Sequence, residues 1–125
     1  MLKIKQIILS LILMTTTMTL SSVTFAQELF SQKGKASWYG GKHHGKKTAS
    51  GETYNMHSNS IAHKTLPFNT KVEITNLDNG KKTIGVVKDR GPYVHGRIAD
   101  VSYKIAQDIG LVKTGVCNVE IKKIQ

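Results

Sequence analysis

Apolar and polar residues alternate in several short stretches of this chain, a pattern typical of β-strands that bury one face. The clearest alternation covers residues 71–77 and 82–88. Asn79-Gly80 lies between them and favours a tight turn, so we predict that the two stretches pair as an antiparallel hairpin. Pro67 excludes a helix just before the first stretch.

Three more strands are predicted over residues 33–39, 97–101 and 116–121. The segment after Ser102 has the apolar stripe of a short helix, for which Ser102 is a suitable N-cap and Gly110 a suitable stop. Five or six short strands with one helix fit a small closed barrel, because closure removes exposed strand edges. From the pattern alone, an open α+β sheet fits nearly as well.

The first 26 residues have the organisation of a cleaved secretory signal peptide. A short basic start precedes an apolar run from Ile7 to Met14, which is shorter than the ~20 residues that a membrane helix needs. A cysteine after the cleavage position would predict a lipid anchor, but Gln27 follows Ala26. We therefore expect an exported, soluble protein of the periplasm or the medium, without a stable membrane anchor.

Without the signal, 99 residues remain, which we divide into a short lead-in over 27–33 and one domain over 34–125. Lys3 and Lys5 leave with the signal, so the formal net charge falls from +10 to +8. A basic exported protein is attracted to anionic polymers, and its few aromatic residues argue against nucleic acid. Cell-wall glycan is the expected partner of a monomer, although scattered lysines that only solvate the surface explain the charge equally well.

Metal and nucleophile chemistry find little support in the sequence. The adjacent His43 and His44 cannot both point to one side of a strand, and no zinc-type spacing occurs, so we predict no metal and no cofactor. Ser50 lacks the strand-to-helix context of a serine nucleophile. Cys117, the single cysteine, lies in an alternating stretch and is predicted to be a buried thiol without chemistry.

Four ionisable residues lie where loops are predicted to leave strands: Glu52, His63, Asp89 and Asp100. Asp89 and Asp100 flank the loop RGPYVHGR, and paired carboxylates beside a cleft are what cleavage of a glycosidic bond requires. Equally simple interpretations exist, since Asp89 could form a turn and Asp100 could be a buried cap. His63 could bond a loop backbone, or it could orient a carboxylate or a sugar hydroxyl.

The neighbours of these residues leave the roles open. Arg90 would hold Asp89 ionised if the two side chains met, which is wrong for a general acid. Either Glu52 is then the acid, or Arg90 points away. Four aromatic residues could stack on sugar rings or simply pack: Trp38, Tyr39, Tyr54 and Tyr93.

Three stretches, GKASWYGGKHHGKKTASGETYN, IAHKTLPFNTKVEITNLDNGK and KDRGPYVHGRIADVS, together resemble the rare lipoprotein A family. The resemblance covers roughly residues 34–122. It implies a mainly β fold, a small six-stranded double-psi β-barrel with one or two short helices. Similar barrels occur in expansins, which loosen plant glucan.

The resemblance implies an endolytic peptidoglycan lytic transglycosylase, a lyase that leaves a 1,6-anhydromuramic acid end. It places Glu52, His63 and Asp89 in the active cleft. We expect Asp89 to be the acid/base, Glu52 to support the cationic transition state and His63 to orient one of them. The expected substrate contacts are Trp38, Tyr39, Tyr54, Arg90, Tyr93 and Asp100. The alternative is a non-catalytic, expansin-like module that binds wall glycan.

Overall fold

The computed structural model describes residues 30–124, so the predicted signal peptide lies outside the described residues. None of the helices in this part of the chain has the length and apolar character needed to cross a membrane. The elements, in chain order, are β1 (Ser31–Trp38), β2 (Ser60–His63), β3 (Lys71–Asn76), β4 (Lys82–Asp89), β5 (Arg97–Val101), α1 (Tyr103–Asp108) and β6 (Val116–Lys123), with a 3-10 turn at Gly41–His43.

The six strands close into a barrel in the order β1-β5-β2-β4-β3-β6. The pairs β1/β5 and β2/β4 are parallel. The remaining pairs, β1/β6, β2/β5, β3/β4 and β3/β6, are antiparallel. The expected mainly β, closed six-stranded barrel is therefore confirmed, and the open sheet is excluded.

The predicted hairpin is confirmed, with Thr75 of β3 opposite Lys82 of β4 and Gly80 at a φ of 78° in the connection. The strand that the alternation did not reveal is β2. All four of its residues are buried, so both faces of β2 are covered, and the strand lies between β4 and β5. A strand without an exposed face shows no polar alternation.

Alternate strand residues fill the barrel, and residues such as Val72, Ile74, Val101 and Ile121 have no exposed surface. The predicted helix cap is also confirmed, since the Ser102 hydroxyl accepts a hydrogen bond from the Ile105 N–H at 3.3 Å. Gly110 follows the helix with a φ of 72°, a left-handed conformation that favours glycine. Cys117 is buried, and burial raises the pKa of its thiol to about 11.

Candidate active site

One row of paired residues runs across four neighbouring strands on the outer face of the barrel. Ser37 of β1 pairs with Asp100 of β5, Asp100 pairs with Ala62 of β2, and Ala62 pairs with Asp89 of β4. Paired residues point to the same face, and Val101, next to Asp100, is fully buried in the core. Since adjacent strands lie about 4.8 Å apart, the backbones of the two aspartates are separated by roughly 10 Å.

A β-bulge brings Asp89 into this row. The register between β2 and β4 shifts between Ile61 and Ala62, which leaves Lys88 as the extra residue. Without the shift, Asp89 would lie opposite His63, which pairs with the fully buried Ala99 and is on the inner face of the barrel. The bulge therefore turns the Asp89 carboxylate to the outer face, where the structure brings it together with Asp100.

The Asp89 carboxylate is held by three donors. Its Oδ1 accepts from the backbone N–H groups of Ala49 and Arg90, each at 2.9 Å, and its Oδ2 accepts from the Tyr39 hydroxyl at 3.0 Å. Burial, then the negative charge of Asp89 and more weakly that of Asp100, raise the pKa of Tyr39 above its ordinary value. The Tyr39 hydroxyl therefore stays protonated near both carboxylates.

Asp100 is half-buried, and its Oδ1 accepts a hydrogen bond from Ser37 Oγ at 2.5 Å. This partner is a strand side chain and not a loop or helix backbone, so this hydrogen bond is not that of a cap. The sequence reasoning did not single out Ser37. Its position directly after the buried Ala36 on an alternating strand is the signal that could have placed it on the outer face.

The side chain of Arg90 turns away from Asp89. Its guanidinium donates to the backbone oxygens of His63 and Leu66, at 3.3 and 2.8 Å, and lies 4.1 Å from the centroid of the Phe68 ring. Arg90 thus stabilises the turn that follows β2. The sequence-based objection to Asp89 as the acid depended on contact between the two side chains, and this geometry removes it.

His63 is buried, with only 2% of its surface exposed. Its Nδ1 accepts from the backbone N–H groups of Thr65 and Leu66, at 3.1 and 3.0 Å, and its Nε2 lies 2.7 Å from Gln32 Oε1. Because Nδ1 accepts, the proton of the neutral ring is on Nε2. Burial, and then the charge of Arg90, lower the pKa of His63, so the ring is neutral at pH 7.

Glu52 lies at the exposed rim of the site. Its Oε1 is 3.1 Å from Lys88 Nζ, and the same ammonium group contacts Asn69 Oδ1. The loop of Glu52 also supplies the Ala49 N–H that bonds Asp89. One loop therefore places the carboxylates of Glu52 and Asp89 on the same side of the barrel. Lys88, which the sequence reasoning did not select, joins this loop to the turn before β3.

The four candidate aromatic residues differ in exposure. Tyr93 is 80% exposed, whereas Tyr54 is 5% exposed and packs against Tyr39 with ring centroids 5.0 Å apart. Trp38 is half-buried against Tyr103, at a centroid distance of 5.4 Å. The ring of Tyr93 is therefore accessible to a ligand, whereas the buried ring of Tyr54 packs against Tyr39.

The histidines of the neighbouring loop make aromatic and backbone contacts. His43 lies edge-on to Tyr39 at 5.6 Å, and His44 Nδ1 accepts from the Met56 N–H at 3.1 Å. Within residues 30–124, no group of three or more His, Cys, Asp or Glu side chains is placed to hold a metal ion.

Residues 31–121 match the family model described as lytic transglycolase. The endolytic peptidoglycan transglycosylase RlpA of Vibrio cholerae is 54% identical over 95 residues, which cover 76% of this chain and 36% of that protein. The probable endolytic peptidoglycan transglycosylase RlpA of Aquifex aeolicus is 52% identical over 93 residues, covering 74% and 41%. The chain thus spans well under half the length of these curated relatives.

Two solved structures have the same fold at low sequence identity. The Streptomyces papain inhibitor aligns with a TM-score of 0.60 at 20% identity, covering 77% of this chain and 96% of that one. A mutant expansin of Clavibacter michiganensis in complex with cellohexaose aligns with a TM-score of 0.61 at 13% identity, covering 77% and 51%. At these identities the likeness shows the barrel fold and nothing about activity.

Proposed function

The chain belongs to the lytic transglycolase family, and from that premise we propose that it is an endolytic peptidoglycan lytic transglycosylase. It acts outside the cytoplasm, as an exported monomer without a lipid anchor. The observation that carries the proposal is the outward row in which Asp89 and Asp100 flank the small residue Ala62. Two carboxylates on the outer face of the barrel, with Glu52 at the rim, suit the cleavage of a glycosidic bond.

Asp89 is the acid/base of the proposed reaction. As an acid it protonates the oxygen between N-acetylmuramic acid and N-acetylglucosamine, and the bond from that oxygen to C1 of the muramic ring breaks. As a carboxylate it then takes the proton of the C6 hydroxyl, whose oxygen bonds to C1. The reaction consumes no water, and Asp89 regains its proton.

The contacts of Asp89 indicate which of its two oxygens would carry the proton. Its Oδ1 accepts two backbone N–H groups, so the transferable proton belongs on Oδ2, which faces the Tyr39 hydroxyl. A tyrosine hydroxyl can rotate to accept from the acid and to donate to the carboxylate, so it accommodates both states. The Arg90 guanidinium is directed at the Leu66 oxygen, so the positive charge of Arg90 is turned away from the carboxyl group of Asp89.

Other side chains complete the proposed site. The exposed carboxylate of Glu52 stabilises the positive charge that develops on the sugar ring. Asp100, oriented by Ser37, accepts from sugar hydroxyls, and the exposed ring of Tyr93 stacks on a sugar. His63 orders the turn whose Leu66 oxygen accepts from Arg90, and so acts as a positioning residue.

The test is to digest purified peptidoglycan and identify the new glycan ends by mass spectrometry. We expect ends that are lighter by one water than hydrolysed ends, and a loss of about 10²- to 10⁴-fold in their rate of formation with Asp89→Asn. The control is Asp78→Asn, because Asp78 is an exposed aspartate in the β3–β4 connection, bonded to Asn118. This control should keep the activity.

Other outcomes would replace the proposal. Reducing ends in place of anhydro ends would identify a hydrolase. Binding to the glycan without any new ends would identify an expansin-like module. If Asp89→Asn stays active and Glu52→Gln does not, the reaction stands and Glu52 is the acid.

A further inference from the structure

A surface trough lies beside the carboxylate row, along the outer seam between the parallel strands β2 and β4. On this seam Ser60 pairs with Val86, directly beside the pair of Ala62 and Asp89. Ile84 lies farther along β4 and is 47% exposed. At about 3.3 Å per strand residue, Ile84 and Asp89 are roughly 16 Å apart, which is longer than a single sugar ring.

Two adjoining hollows form the trough. The first has a volume of about 180 Å³, lies beneath the loop of Glu52 and is lined by Lys88 and Ser60. The second is open, has a volume of about 580 Å³ and is lined by His57, Ile84 and Lys104, among others. Ser58 and Asn59 line both hollows, so the two adjoin each other.

The lining has the chemistry of a carbohydrate site. Most residues that line the first hollow carry a hydroxyl or an amide group, among them Thr53, Asn55 and Ser60, and such groups exchange hydrogen bonds with sugar hydroxyl and acetamido groups. In the second hollow, Ile84 offers an apolar surface to the face of a sugar ring. Lys104, half exposed at 46%, also lines this hollow; its ammonium group is paired with Asp108 at 3.1 Å and can donate further hydrogen bonds to sugar oxygens.

We propose that this trough is a glycan subsite, which holds N-acetylated aminosugar units of the glycan chain on one side of Asp89. The identity of the polymer rests on the proposed function, whereas the binding itself does not require catalysis. Lys88 lies at the junction, because its ammonium group contacts Glu52 of the overlying loop and its side chain lines the first hollow. The glycan chain then runs from the carboxylate row, past Lys88, to Ile84.

The test measures binding without turnover. Asp89→Asn protein, labelled with ¹⁵N, is titrated with N-acetylchitohexaose, and the amide signals are followed by NMR. We expect shifts at Ser60 and Ile84 as well as near Asp100. Cellohexaose, which lacks acetamido groups, should bind more weakly.

A matched pair of variants locates the apolar contact. Ile84→Ala should weaken binding of N-acetylchitohexaose by about three- to tenfold, because the sugar ring loses apolar surface. Ile124→Ala should bind as before, since Ile124 is 50% exposed but lies beyond β6, outside the lining of both hollows.

The outcomes separate this subsite from the proposed reaction. Shifts along the seam, with weaker binding by Ile84→Ala alone, support the trough even if the digestion assay yields no anhydro ends. Shifts confined to the carboxylate row, or equal binding by the two isoleucine variants, overturn the trough even if anhydro ends form.

Discussion

Replacement of His63 distinguishes a residue that transfers protons from one that orders the active-site turn. In the structure its Nδ1 accepts two backbone N–H groups, from Thr65 and Leu66, and its Nε2 contacts Gln32. In His63→Asn, the new side chain would place its amide oxygen near the position of Nδ1 but would lack an imidazole. His63→Asn should therefore keep the turn, whereas His63→Ala should not.

The magnitudes follow from these contacts. In His63→Ala the N–H of the buried Leu66 loses its acceptor, at a cost of about 1–3 kcal/mol, while the exposed Thr65 can bond water instead. The space left by the ring adds a cavity cost, which brings the expected loss of unfolding free energy to about 3–4 kcal/mol. His63→Asn loses mainly the contact with Gln32, so we expect about 1–2 kcal/mol.

Urea unfolding followed by tryptophan fluorescence measures both changes, since Trp38 lies in β1. The formation of anhydro ends is measured on the same samples, at a temperature where both variants are folded. For a positioning role, we expect His63→Asn to keep activity within about tenfold of the parent protein. If this variant is stable but loses about 10²- to 10⁴-fold in rate, His63 takes part in proton transfer and the positioning role is wrong.

Two further predictions concern the same site. Because the pKa of His63 is lowered in the folded protein, the unfolded chain binds more protons than the folded one near and below pH 6.5. The free energy of unfolding should therefore fall as the pH drops through that value. In His63→Asn, which lacks the imidazole, this fall should be smaller. Unfolding in urea at pH 7.5 and pH 5 tests this, and equal pH slopes for the two proteins would contradict it. Tyr39→Phe keeps the ring contact with Tyr54 but removes the hydrogen bond to Asp89. We therefore expect anhydro ends to form about ten- to thirtyfold more slowly, and the free energy of unfolding to change by about 1 kcal/mol. Unchanged kinetics in this variant would show that Tyr39 does not orient the acid.

The local elements of the fold could be predicted from the sequence, because their signals lie within a few residues of one another. Asn79-Gly80 turns the chain between two alternating stretches, and Ser102 and Gly110 bound a short helix. Such signals arise from backbone preferences and from side-chain bonds to nearby N–H groups, which neighbouring sequence is sufficient to specify. The resemblance of longer motifs supplied the closed barrel, which periodicity alone left open.

The arrangement of the site depended on tertiary structure. Asp89 and Asp100 share a face because β2 is inserted between their strands and because a bulge at Lys88 changes the register by one residue. A one-residue shift moves a strand side chain to the opposite face, and no local pattern reports it. The burial of His63 likewise comes from distant parts of the chain, which is why the sequence indicated its chemistry but only the fold decided its contacts.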